Sequence, residues 1–249
     1  GICCNSKGRA MSGHSKWATT KHRKAAQDAK RSALFSKLSR IITVAAKEGG
    51  DPNPENNASL AAAIEKAKGY SLPKDKIKTA IDKAFGSGKD AANSEEVVYE
   101  GYGPAGIAVY CEALTDNRNR TAPEVRHLLD KYGKGLGATG CVSWSFDKKG
   151  VIVLDAEDLD EDTVMMDALD AGAEDFSEEE DSYEILTAPD DLGAVREALE
   201  AAGVPLLEAQ VAMIPQTTVE LTDEKALKDI QRILDLLDDD DDVTDVWHN

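Results

Sequence analysis

Beyond Gly150 the punctuation of the chain fixes an order of short segments that few folds can accept. Val151 to Leu154 is apolar and β-branched, Glu161 to Asp170 has helical spacing, and Ala173 to Phe176 and Tyr183 to Leu186 read as strands. Leu192 to Ala202 then reads as a helix and Leu206 to Met213 as a strand, with Pro189, Gly203 and Pro205 at the breaks. The order βαββαβ is that of a ferredoxin-like split βαβ unit. Text on either side supplies a second α/β set. Before it stand strands at Val97 to Tyr99, Ile107 to Ala113 and Val142 to Phe146; after it come a strand at Thr217 to Leu221, a helix at Asp223 to Leu237 and a strand at Val243 to Trp247.

Ahead of both sets lies helical text. Leu34, Leu38, Ile41, Ile42 and Ala45 recur at three- and four-residue spacing and end at Gly49 and Gly50. Pro54 is placed to open a second helix reaching Lys68, and a third follows Pro73, with Ile77, Ala80, Ile81, Ala84 and Phe85 on one face and Gly86 behind it. The expected fold class is α+β: an N-terminal three-helix domain over residues 11–92, an α/β domain over 93–147 plus 216–249, and a ferredoxin-like domain over 148–215 inserted into it. Residues 1–10, GICCNSKGRA, lack any periodicity, precede Met11 and read as a vector remnant.

Charge divides the same text differently. Between Met11 and Glu48 nine basic residues face only Asp28 and Glu48, a net +7; Lys7 and Arg9 add two more, so a chain of net −18 carries −27 on residues 49–249. Clustered Lys and Arg gain affinity for a polyanion by releasing its condensed counterions. Lys16, Lys21, Arg23, Lys24, Lys30, Arg31, Lys37 and Arg40 are the candidate phosphate contacts, and Trp17 and His22 add planar groups able to stack on bases. The competing account of such a cluster is a solvated lysine-rich helix face. Gly13 to Lys24, ahead of the apolar stripe, is expected to order on binding.

A second candidate lies in TDNRNRTAPEVRHLLDKYG, where Thr121 or a neighbour caps a helix running to Gly133. Asn117, Arg118, Asn119 and Arg120 are expected in the loop before it, where a helix N-terminus and two guanidinium groups suit a phosphate. The same residues also suit plain turn hydrogen bonds.

Two stretches, GHSKWATTKHRKAAQDAKR from Gly13 and YEGYGPAGIAVYCEALTDNRNRTAPEVRH from Tyr99, together with the terminal VWHN, resemble the YebC family. The resemblance runs from about Met11 to Asn249. It implies a bacterial transcriptional regulator, or a translational activator like the mitochondrial relatives, and agrees with the insertion of one domain into another.

Other chemistries find little support. GLGATG spells G-x-G-x-x-G, but it follows a helix and precedes a strand, the inverse of the dinucleotide fingerprint, and reads as a flexible loop. Cys111 and Cys141 lack metal-ligand spacing and read as buried thiols. The acidic runs Glu178 to Asp181 and Asp238 to Asp242 read as solvated turns. His14, His22, His127 and His248 form no catalytic constellation, so an enzyme, a cofactor, a metal and a small-molecule substrate are all unexpected. No apolar run approaches the ~20 residues that span a bilayer, which leaves a cytoplasmic protein with no membrane partner. The expected function is a non-enzymatic nucleic-acid-binding regulator of gene expression. A DNA-binding transcriptional regulator comes first, and a translation factor bound to ribosomal RNA in the ribosome is the alternative.

Overall fold

The computed structural model describes residues 24–86 and 94–249, with side chains in the first helix described from Arg31. Helix α1 (Lys24–Gly49) buries Leu38, Ile42, Ala45 and Ala46 against α2 (Ala58–Gly69) and α3 (Lys74–Ala84), which contribute Leu60, Ala63, Ala67, Ile77, Ala80 and Ala84. The apolar period of α1 therefore sets the packing. Thr43 fastens it, donating from Oγ1 to the Ala80 carbonyl at 2.8 Å.

The α1–α2 connection turns on Asn57. Its Oδ1 accepts the Leu60 amide at 3.1 Å as the cap of α2, while Nδ2 donates to the Ala45 carbonyl at 3.2 Å and the Asp51 carbonyl at 3.1 Å. One buried amide thus satisfies orphan groups at the end of one helix and the start of the next. Pro54 opens only a 3-10 turn, Pro54–Asn56, and the helix begins after Asn57, because the asparagine offers the side-chain cap that proline cannot.

The described residues group into two compact units, 24–86 with 148–212 and 94–147 with 213–249. In the first unit the sheet has the order β5-β6-β4-β7, formed by β4 (Phe146–Asp155), β5 (Asp175–Glu178), β6 (Ser182–Thr187) and β7 (Leu206–Pro215). Helices α5 (Glu161–Asp170) and α6 (Leu192–Ala201) cover one face through Val164, Ala168, Val195 and Leu199. This is the split βαβ arrangement that the segment order demanded. The helical region joins it through Arg196, whose Nε and Nη2 each meet Glu65 at 2.9 Å while Nη1 meets Glu200 at 2.9 Å. Nearby, a Cβ on Gly69 would lie 1.7 Å from the Ala209 carbonyl oxygen, so only glycine admits that approach.

In the second unit the sheet runs β3-β1-β2-β8, from β1 (Glu95–Tyr102), β2 (Ala108–Thr115), the short β3 (Gly135–Leu136) and β8 (Val243–His248). Strand β1 pairs antiparallel with β2 and β3, and β2 pairs antiparallel with β8. Helices α4 (Arg118–Tyr132) and α7 (Glu224–Asp239) bury Val125, Leu129, Ile230, Ile233 and Leu237 on one face. Order and directions match those of a split βαβ sheet, but β1 and β2 are joined directly as a hairpin and the α7–β8 pair comes last in the chain.

Three sequence expectations change here. No strand forms over Thr217 to Leu221; the Val219 amide makes a single bond to the Asn249 carbonyl at 3.2 Å, and Leu221 instead packs into the core of α4 and α7. Val142 to Phe146 is not a strand either, since Ser143–Ser145 is a 3-10 turn and β4 starts at Phe146. Cys111 is buried, as its apolar setting suggested, but Cys141 is only half-buried; both are free thiols.

Candidate nucleic-acid interface

The basic sequence of α1 becomes a surface because its apolar stripe faces α2 and α3. Arg31 is exposed, and its guanidinium lies 5.1 Å from the centroid of Phe35. From α3 the exposed Lys76 reaches the same ring, its ammonium 5.6 Å from the centroid. Two cations from different helices thus flank one aromatic ring. Lys37 and Arg40 are half-buried on α1. Lys24 and Lys30 lie within α1, while Lys16, Trp17, Lys21, His22 and Arg23 fall outside the described residues. On α3, Lys74, Lys78 and Lys83 are also exposed, so residues 24–86 carry twelve basic against seven acidic side chains. Lys76 lies on α3, outside the basic stretch that the sequence singles out. The signal was present in the spacing of Lys74, Lys76 and Lys78 around the buried Ile77.

The second candidate has a different chemistry. Asn117, Arg118, Asn119 and Arg120 are not in a loop: Asn117 is the cap of α4, accepting the Asn119 amide at 3.0 Å, and Arg118 to Arg120 form its first turn. Helix formation starts earlier than Thr121 because Asn117 caps it, and Thr121 is left to point inward. The two arginines meet carboxylates. Arg118 is paired with Glu95 through both Nε and Nη2, the latter at 3.1 Å. Arg120 binds Asp242 through Nε at 3.1 Å and Nη2 at 2.9 Å, and Asp116 at 2.8 Å. These hydrogen bonds, to Glu95 for Arg118 and to Asp242 and then Asp116 for Arg120, raise both guanidinium pKa values. Thr121 Oγ1 adds a 2.8 Å bond to Asp242, which is buried. Asp242 is therefore no solvated turn residue, although it ends an acidic run.

Next to this network Glu124, Asp240 and Asp242 bring carboxylate oxygens within 4.8 Å of one another. A hydrogen bond to Asp240, then burial and the Asp240 charge, push the Glu124 carboxyl up to about 7. The group can share a proton among its acids, and Arg120 supplies the balancing charge.

The GLGATG loop is anchored by a third carboxylate. Glu100, buried on β1, accepts the amides of Gly140, Val142 at 3.3 Å and Ser143 at 2.7 Å. Burial alone would raise its pKa, but the amides of Gly140, Ser143 and Val142 outweigh that and hold it below the ordinary value. A loop expected to be flexible is instead a short strand followed by a turn closed on one carboxylate.

Comparison with known proteins places the whole chain. Residues 15–87 match the model of the TACO1/YebC protein N-terminal domain, and residues 94–249 match that of the TACO1/YebC second and third domain. The chain belongs to the TACO1/YebC family. Among family members, a probable transcriptional regulatory protein of Lachnoclostridium phytofermentans is 56% identical over 241 residues, covering 96% of this chain and 99% of the relative. One of the same description from Acetivibrio thermocellus is 53% identical, covering 96% and 98%. The crystal structure of a conserved hypothetical protein from Aquifex aeolicus is 44% identical, with a TM-score of 0.76 and coverage of 89% of this chain and 90% of that one. Among the described residues, no helix of this family member is long and apolar enough to cross a membrane.

Proposed function

We propose that this TACO1/YebC-family protein is a non-enzymatic, cytoplasmic regulator of gene expression that binds nucleic acid through the α1–α3 face and the basic stretch preceding it. The observation that carries this reading is the pair of exposed cations, Arg31 and Lys76, around Phe35. They stand on a helical region of net positive charge within a chain of net −18. The description of the relatives as probable transcriptional regulatory proteins supports DNA as the first partner to test. Screening acts over roughly 8 Å at physiological ionic strength, so acidic surfaces farther away do not cancel this face.

The experiment is duplex-DNA affinity as a function of salt for the whole chain and for the variant Lys21→Ala, Arg23→Ala, Lys24→Ala. Each lost phosphate contact flattens the slope of log affinity against log salt by about 0.9. An unchanged slope removes the basic stretch from the interface.

A second reading, a translation factor on ribosomal RNA, is favoured by Trp144, which is 73% exposed and offers a ring for an unpaired base. Co-sedimentation with ribosomes in excess duplex DNA separates the two. Retention on the ribosome supports translation, and loss to the DNA supports transcription.

A further inference from the structure

Among the described residues, the largest exposed aromatic side chain is also one of the best held. Trp144 has 73% of its surface open, yet its indole N–H donates to the Cys141 carbonyl at 2.9 Å. The Tyr102 hydroxyl donates to the same carbonyl at 3.3 Å, and Tyr102 is itself 37% exposed. That carbonyl lies between Gly140 and Val142, whose amides are bound by Glu100, so the loop under both rings is fixed from beneath. Gln216 holds the far side, donating from Nε2 to the Trp144 carbonyl at 3.3 Å and to Asp147 at 3.2 Å. A large apolar ring kept in water and denied rotational freedom costs the protein solubility and gains it no core. It is prepared for a partner.

The surroundings identify the partner by charge. The Lys134 amide donates to the Tyr102 carbonyl at 2.8 Å, which places the exposed Lys134 next to the Tyr102 main chain. At the same end of the sheet, where a Cβ on Gly133 would lie 2.5 Å from the Tyr102 carbonyl oxygen, α4 ends in Lys131 and Tyr132. The Lys131 ammonium lies 5.2 Å from the Tyr132 ring centroid, and the exposed Arg232 of α7 reaches the Tyr132 hydroxyl; Arg232 first and Lys131 second lower that hydroxyl's pKa. Two acids of this region are already engaged, Glu100 with three amides and Asp147 with Gln216. Ahead of Cys141 in the chain, Gly137-Ala138-Thr139-Gly140 is exposed and carries only small side chains, so a backbone can approach closely.

Resting on the reading of this chain as a nucleic-acid binder, we infer that Trp144 and Tyr102 form a stacking platform for unpaired bases of RNA, with Lys134, Lys131 and Arg232 taking the adjoining phosphates. Bases in a duplex cover one another's faces, whereas RNA loops and ends present theirs, and a fixed, exposed indole suits the latter. The platform lies on residues 102–144 and is distinct from the α1–α3 face.

The test is fluorescence anisotropy of a labelled 12-nucleotide uridine-rich RNA with the full chain and with Trp144→Ala, Trp144→Phe and Lys134→Ala, alongside a duplex RNA of equal length. Stacking on one ring contributes enough that Trp144→Ala should weaken single-strand binding about 10-fold or more, while Trp144→Phe recovers most of the loss and duplex binding stays within about 2-fold. Lys134→Ala should instead flatten the single-strand salt slope by about 0.7. Unchanged single-strand affinity in Trp144→Ala, or an equal loss on the duplex, overturns the platform while the α1–α3 face stands. If the unaltered chain binds neither DNA nor RNA, the functional reading falls and the platform with it.

Discussion

Two arginine-bearing helix faces of this chain look alike in sequence and have opposite chemistry. At the N-terminus of α4, Arg118 and Arg120 are matched by Glu95, Asp116 and Asp242, and the last of these is buried, its Oδ2 shared by Arg120 and Thr121. On α1 and α3, Arg31 and Lys76 are turned outward around Phe35. Cations already matched by carboxylates have little counterion to release, so they knit a fold; cations standing around an aromatic ring keep their charge for a polyanion. Local density of Arg and Lys is thus a poor guide to binding until the carboxylates that share their space are known.

The sharpest way to break this contrast is to remove a buried acceptor. Asp242→Ala leaves Arg120 and Thr121 without their shared partner and is expected to cost about 3 kcal/mol in denaturant unfolding, the scale of a broken buried pair. Arg31→Ala and Lys76→Ala, made on an exposed face, should each stay within about 0.5 kcal/mol of the parent. Equal losses in all three would mean that the α1–α3 cations are structural as well.

A somewhat smaller effect is expected at Glu100, another carboxylate spent on the chain's own groups. Glu100→Gln weakens three amide contacts and should cost about 2 kcal/mol at neutral pH. Because the folded carboxyl titrates below the ordinary value of 4.5, its contribution is present above that value and is lost as pH falls through the lower folded one. The stability gap between parent and variant should therefore close in acid; a gap that persists at low pH would assign the cost to packing.

The binding side of the contrast is read from salt. Arg31→Ala with Lys76→Ala should flatten the duplex-DNA slope by up to about 1.8, whereas Arg118→Ala with Arg120→Ala should change it by less than half as much. Parity between the two double variants would return α4 to the interface.

The smallest effect concerns Glu124. Its carboxyl, pushed up to about 7, favours the folded state while it is protonated, so its contribution is complete below the ordinary value of 4.5 and is lost as pH rises through about 7. Glu124→Gln keeps the donor at every pH. Its melting midpoint relative to the parent should rise between pH 5 and pH 8, and a flat difference would show that Asp240 does not share the proton.

Much of the architecture was legible because apolar spacing carries it. Leu38, Ile42 and Ala45 are core residues of α1 as their period required, and Glu161–Asp170 is helical over the residues expected. Boundaries set by capping were less legible. The start of α2 depended on Asn57 outcompeting Pro54, and that of α4 on Asn117 acting one turn before Thr121. The glycines of GLGATG gave no hint that Glu100, some forty positions earlier in the chain, would fix their loop. Nor could Lys76 be added to the basic face before the packing of α1 on α3 brought it to Phe35.

The sequence by itself determined the main helices, the order of the ferredoxin-like segments and the separation of a basic entry from an acidic remainder, since these follow from periodicity and from counts of charge along the chain. It also determined family membership, through the long motifs that the matches to residues 15–87 and 94–249 bear out. Which charges face water and which face each other was decided only by tertiary structure. Asp242 finds Arg120 across more than a hundred residues, and Glu100 finds the amides of Gly140 and Ser143 across about forty. Such pairings depend on distances that strand register and helix packing create, and electrostatic energy falls with distance in space rather than along the chain.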